Sequence, residues 1–153
     1  MRGLSYNTDE NGDLRIERSR QLHQYQKAGY TVVFVDESHW SVGNVRKRIW
    51  GEKGKTFPNS TPHLFSLSCV CEISDAGEKH CRLFNRTING EIFEAYITEL
   101  MNLFSIKNTN VVFVMDNAPI HKEELVRLAN ENNHTILFNA PYSPECNTIE
   151  MVF

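Results

Sequence analysis

Two stretches of this chain leave it little freedom: "TVVFVD", ending at Asp36, and "NVVFVMD", ending at Asp116. Each is a run of β-branched and aromatic residues without alternation, the mark of a strand buried on both faces. Such a strand must lie inside a sheet with other layers above and below it. Both runs stop on a carboxylate, and in open α/β sheets ligands bind in the crevice at the carboxyl ends of the strands. Two aspartates delivered to one crevice repel each other unless a cation lies between them. Mg2+, a hard ion that takes oxygen ligands, suits that position. The plainer reading of either aspartate alone is a polar residue that ends a strand.

The rest of the pattern builds around these strands. Residues 13–28 are charged and helix-favouring, with Leu14, Leu22 and Tyr25 as apolar anchors and Gly29 as the stop. They predict a connecting helix outside the main core. "NVRKRIW" can form a strand. "FSLSCVCEI" puts Phe65, Leu67, Cys69, Cys71 and Ile73 in alternation, which predicts a half-buried antiparallel strand, and "HCRLFNRTI" returns from the turn "SDAGE" as its hairpin partner. "GEIFEAYITELMNLF" has helical spacing of its apolar residues. "HKEELVRLANENN" predicts a second helix, "TILFNAP" another strand, and "YSPECNTIEMVF" a turn that opens a further helix. An antiparallel start followed by crossovers predicts an α/β fold, a mixed sheet flanked by helices.

With 153 residues the chain is long enough for one domain with its own core. No apolar run approaches the ~20 residues that span a bilayer, and the first residues lack a signal-peptide core, so an intracellular protein is expected. None of the four cysteines forms a C-x-x-C pair. That leaves zinc without its usual ligand spacing, and Cys69 and Cys71 are expected to pack as small hydrophobes. The net charge of −3 argues against a nucleic-acid partner, yet residues 45–55 carry Arg46, Lys47, Arg48, Lys53 and Lys55 against Glu52. Such a block can neutralise phosphates, or it can be a solvated strand edge. Trp40 and Trp50 flank it; they can stack on bases, with core packing the preferred expectation.

Three blocks then fall into one frame. "APYSPECNTIE" resembles the P-Y-S-P-x-x-N-P-I-E segment of mariner-like transposases and their bacterial insertion-sequence relatives. "VFVDESHW" resembles their first-aspartate strand, and "VFVMDNAPIHK" their second, with its D-N-A-x-x-H tail. The blocks occur in family order, and 33 residues separate Asp116 from Glu150, a spacing close to the family's. The resemblance covers residues 30–153, and residues 1–29 form an N-terminal arm with the connecting helix.

The resemblance implies an RNase H-like five-stranded mixed sheet, its first three strands antiparallel, and a DDE triad of Asp36, Asp116 and Glu150. It implies metal-dependent cleavage and strand transfer on DNA with two Mg2+ or Mn2+ ions held by those carboxylates, Asp36 bridging. The partners it implies are transposon ends and target DNA, with a homodimer, a TA target and, in a eukaryotic host, the nucleus. It also raises the expectation that the basic block meets DNA. Glu150 has a plainer reading, since "NTIE" fits a capping box in which Asn147 caps a helix and Glu150 lies at its third position. Asn117 and His121 match the motif tail and are expected to contact phosphate or order the loop, with capping of the helix that follows as the plainer alternative. Glu37 is expected to be secondary, on the opposite strand face from Asp36.

Thr148 stands where the family has proline, a residue pre-organised for the first position of a helix. Residues 1–29 are too short for the family's helix-turn-helix modules, and the chain stops three residues after Glu150, so truncation is expected. A non-catalytic DNA-binding or protein-interaction remnant is the alternative, and an RNase H-like nuclease on another nucleic acid is a third.

Overall fold

The two apolar runs become neighbouring strands in the interior of a five-stranded sheet. The structure is a computed structural model, and it describes residues 9–42, 65–116, 122–141, 143 and 146–151. In chain order the elements are α1 (Asp9–Lys27), β1 (Thr31–Val42), β2 (Phe65–Ser74), β3 (Lys79–Phe84), α2 (Gly90–Ile106), β4 (Val111–Met115), α3 (Lys122–Glu131) and β5 (Thr135–Phe138). A 3-10 helix, Thr148–Met151, follows. The sheet order is β3-β2-β1-β4-β5: β1, β2 and β3 are antiparallel, and β4 and β5 join β1 in parallel. With helices on both faces, this is the mixed RNase H-like α/β fold.

The central strands are fully enclosed. Val32, Val33 and Val35 of β1 and every residue of β4 are buried. Burying one such side chain stabilises the fold by roughly 1.5–3 kcal/mol. On one face, Val33, Val35, Val70 and Phe113 pack against Ile97, Leu100, Met101 and Phe104 of α2 and Leu125 and Ala129 of α3. Asn89 starts α2 by accepting the Ile92 N–H on its side chain at 3.0 Å. His134 ties this layer together. It is buried, its Nε2 lies 3.0 Å from the Met101 carbonyl, and its Nδ1 accepts the Val111 N–H. Burial depresses its pKa.

The opposite face is more lightly covered. Leu22, Tyr25 and Tyr30 pack over Val32, Val112, Val114 and Leu137. No residue of α1 is fully buried, and Leu14, expected as an anchor, is exposed. The helix also begins earlier than the pattern predicts, at Asp9, because acidic residues at a helix start favour the dipole.

Two expectations for β2 change. Its polar phase was expected to face solvent, yet Ser68, Glu72 and Ser74 are buried, because α2 covers that side too. Cys71 does pack in an apolar cluster, but it is also bonded to Cys81. The antiparallel register sets these cysteines directly opposite each other, with Cα atoms 4.1 Å apart. A reading by strand phase alone misses that pairing. The expected strand "NVRKRIW" lies outside the described residues.

Candidate active site

The parallel register of β1 and β4 pairs Phe34 with Val114. Two residues further along both chains, the same register sets Asp36 beside Asp116. Neighbouring strands lie about 4.8 Å apart, so the two side chains leave the sheet at one edge of the crevice. The site thus begins with a rigid pair placed by buried valines rather than by a loop.

Glu150 arrives from the far end of the sequence. Ile149 is fully buried (0% exposed) against Cys69, Cys71 and Phe34. Those residues share a sheet face with Asp36, since Phe34 lies two positions before it and Cys71 is its partner on β2. Seating Ile149 there brings the adjacent Glu150 within hydrogen-bonding reach of the Asp36 carboxyl. The expected capping box is not what holds it. Asn147 offers its backbone carbonyl to the Glu150 N–H at 3.1 Å, while its side-chain amide is buried with no hydrogen-bond partner among the described residues.

The electrostatics follow from this crowding. Burial raises the pKa of Asp36 to about 6, opposed by the Glu37 N–H, which donates to Oδ1 at 2.8 Å. Repulsion from Glu150 and then Asp116 adds to the rise, as does the hydrogen bond shared with Glu150. Burial and the neighbouring negative charges together make Asp36 harder to ionise than an ordinary carboxyl. Glu37 is raised to about 7, by the surrounding protein first and then by Asp116 and Asp36. It remains exposed as a residue, so water moderates that rise.

Glu37 does point to the other sheet face, as the strand continuing to Val42 requires. It is nevertheless part of the acidic group, lining a cleft of about 200 Å³ with Asp36, Asp116, Asn89 and Phe93. Among the described residues, no three His, Cys, Asp or Glu side chains close into a metal-holding group. The donors present still suit a hard divalent ion: they are carboxylates whose mutual repulsion a cation would relieve.

Trp40 differs from expectation. It is 46% exposed rather than packed in the core. It lies four residues beyond Asp36 on the same phase of β1, with its ring available to solvent on the face that carries the carboxylates. Arg46, Lys47, Arg48, Trp50, Lys53, Lys55, Asn117 and His121 lie outside the described residues.

Comparison with known proteins bears on the family and the fold. Residues 31–153 match the DDE superfamily endonuclease family. No curated protein is significantly similar. The fold matches the Mos1 mariner paired end complex with Mn at 20% identity and a TM-score of 0.63, over 95% of this chain and 48% of that one. It matches the Mos1 strand transfer complex at 19% identity and a TM-score of 0.63, over 95% and 47%. The paired end complex with Mg gives 20% and 0.63, over 97% and 48%. The chain therefore spans about half the length of the transposase chains it matches.

Proposed function

The chain belongs to the DDE superfamily of endonucleases, and from that premise we propose that it is a transposase-type catalytic domain that cuts and joins DNA strands with divalent metal. The observation that carries the reading is the meeting of Asp36 and Glu150 next to Asp116, from three separated blocks of sequence. In this reading Asp36, Asp116 and Glu150 would hold Mg2+ or Mn2+, Asp36 from the central strand with the charges of the other two acids beside it. Bound there, the metal supplies Lewis-acid charge neutralisation at the scissile phosphate and a more acidic water.

The chain's own groups set the conditions for this. The buried strands fix the two aspartates, which limits the reorganisation that phosphoryl transfer would otherwise require. The Glu37 N–H donates to Asp36 Oδ1 and so orients that carboxyl. Trp40 and the basic residues Arg46, Lys47, Arg48, Lys53 and Lys55 supply stacking and phosphate contacts for DNA. Asn117 and His121 would contact phosphate, order the segment after Asp116 or cap the helix that follows. Residues 30–153 are the catalytic domain, acting inside the cell on transposon ends and target DNA as a homodimer.

A second reading is a DNA-binding or protein-interaction module without cleavage. It is favoured by the finding that, among the described residues, no three His, Cys, Asp or Glu side chains are placed to hold a metal ion. Nicking of supercoiled DNA by the purified chain in Mg2+ or Mn2+ separates the two. Cleavage that stops with chelator and with Asp116→Ala supports the enzyme. A chain that neither cleaves nor binds Mn2+, followed by electron paramagnetic resonance, leaves the non-catalytic module.

A further inference from the structure

The face of the sheet opposite Asp36 holds a second acidic feature that DNA cleavage does not use. Glu72, on β2, is 7% exposed, and its Oε2 is fully buried with no hydrogen-bond partner among the described residues. A buried carboxylate oxygen without a partner costs more than an apolar replacement would, so its presence needs a reason. Glu72 lines a cleft of about 260 Å³ between β2, β3 and α2. The wall facing it is Tyr96, Leu100, Leu103 and Phe104 of α2.

The charges around the cleft are unequal in availability. Arg82 lines it but is already engaged by Glu99, through two hydrogen bonds of 2.7 and 2.8 Å, and lies over the Tyr96 ring. Lys107 lies over the Phe104 ring at 5.8 Å. Among the described residues neither Glu72 nor Glu78 forms a salt bridge, and His80 completes the polar side. A carboxylate at the bottom of an apolar slot selects a cation that brings its own hydrocarbon.

We propose that this cleft is a binding site for an alkylammonium group, with the ammonium at Glu72 and its hydrocarbon stem along Tyr96, Leu100 and Phe104. The volume accommodates a stem of several carbons, since one water occupies about 30 Å³ of liquid. Burial lifts the Glu72 pKa to about 7, against the opposing charge of Arg82, so a bound cation also relieves the cost of ionising it. Two sources share this chemistry: a free aliphatic amine and the lysine side chain of a peptide.

The test is titration of the full chain at pH 8 with n-pentylamine hydrochloride, read by amide NMR shifts at Glu72, Arg82 and Tyr96. Binding in the millimolar range or tighter is expected, weakened at least tenfold by Glu72→Gln and largely absent with 1-pentanol. Leu103→Lys, at an exposed position on the rim, keeps Glu72 and the fold and is expected to weaken binding by placing a competing cation there. A parallel titration with N-acetyl-lysine methylamide assigns the source. Binding as tight as pentylamine points to a lysine side chain, and weaker binding to a free amine. Equal affinity for pentylamine and 1-pentanol, unchanged affinity in Glu72→Gln, or no shifts with either amine overturns the proposal.

Discussion

The two faces of the sheet treat their acidic residues in opposite ways. On the α2 and α3 side, Phe113, Ile97, Met101 and Leu125 are fully buried, and Glu72 is held within that layer without a hydrogen bond for one of its oxygens. On the α1 side the cover is thinner, α1 buries no residue completely, and Asp36 meets Glu150 and Asp116 at its edge. Thick packing secures the strands from one side, so the other can remain open where chemistry needs access. Stability is therefore carried mainly by the packed middle of the strands and the candidate site by their carboxyl ends, where Asn89 and Phe93 also line the cleft.

The sharpest way to break this division is on the open face. Asp36→Ala is expected to reduce metal-dependent nicking by several orders of magnitude while leaving the urea midpoint unchanged or higher, since it removes a crowded carboxylate. Loss of folding along with activity would contradict the separation of roles. Ile149→Ala is the next test. It leaves all three acids in place but unseats Glu150, so a loss of at least about tenfold in nicking is expected. The thermal midpoint is expected to fall by only a few degrees, because the 3-10 helix packs mainly on β1 and β2 and can open locally.

On the packed face the order reverses. Phe113→Ala is expected to cost about 3–5 kcal/mol in urea unfolding, against about 1 kcal/mol for Leu22→Ala beneath α1. Similar values for the two would erase the contrast. A smaller effect concerns Glu72. Its folded pKa, about 7, lies above the ordinary carboxyl value of 4.5, so its share of stability is present below 4.5 and lost as pH rises through 7. Glu72→Gln is expected to stabilise by on the order of 2 kcal/mol at pH 8 and to be neutral at pH 4, by urea denaturation. His134 has the opposite sign, because burial lowers its pKa below 6.5. Its share is present above 6.5 and lost as pH falls, so His134→Gln is expected to flatten the acid side of the stability profile.

Much of this was legible in the chain. The unbroken runs before Asp36 and Asp116 announced enclosed strands because nothing polar interrupts them. Helix periodicity announced α2. The failures have a common cause, since each depended on a neighbour from elsewhere in the sequence. Alternation in β2 marked Cys69 and Cys71 as one face, but not that α2 would bury Ser68, Glu72 and Ser74 on the other. Spacing could not show that Cys81 returns opposite Cys71. Trp40 looked like core by residue type, yet it sits beyond the part of β1 that β4 pairs with, where the sheet is only partly covered. The "NTIE" pattern promised a side-chain cap from Asn147, and the tight 3-10 turn used its backbone carbonyl instead.

By itself the sequence determined which segments are strands and helices, because period and β-branching act locally. It also determined which acids could matter, because three blocks stand in one order at one spacing. Only the tertiary structure decided that Asp36 and Asp116 are lateral neighbours, since that follows from the parallel register of β1 and β4. It also decided that Ile149, by filling a patch on β1 and β2, brings Glu150 to Asp36. The reason is physical: a local pattern fixes which way a side chain faces, whereas proximity between distant residues is fixed only when their apolar neighbours find a common core.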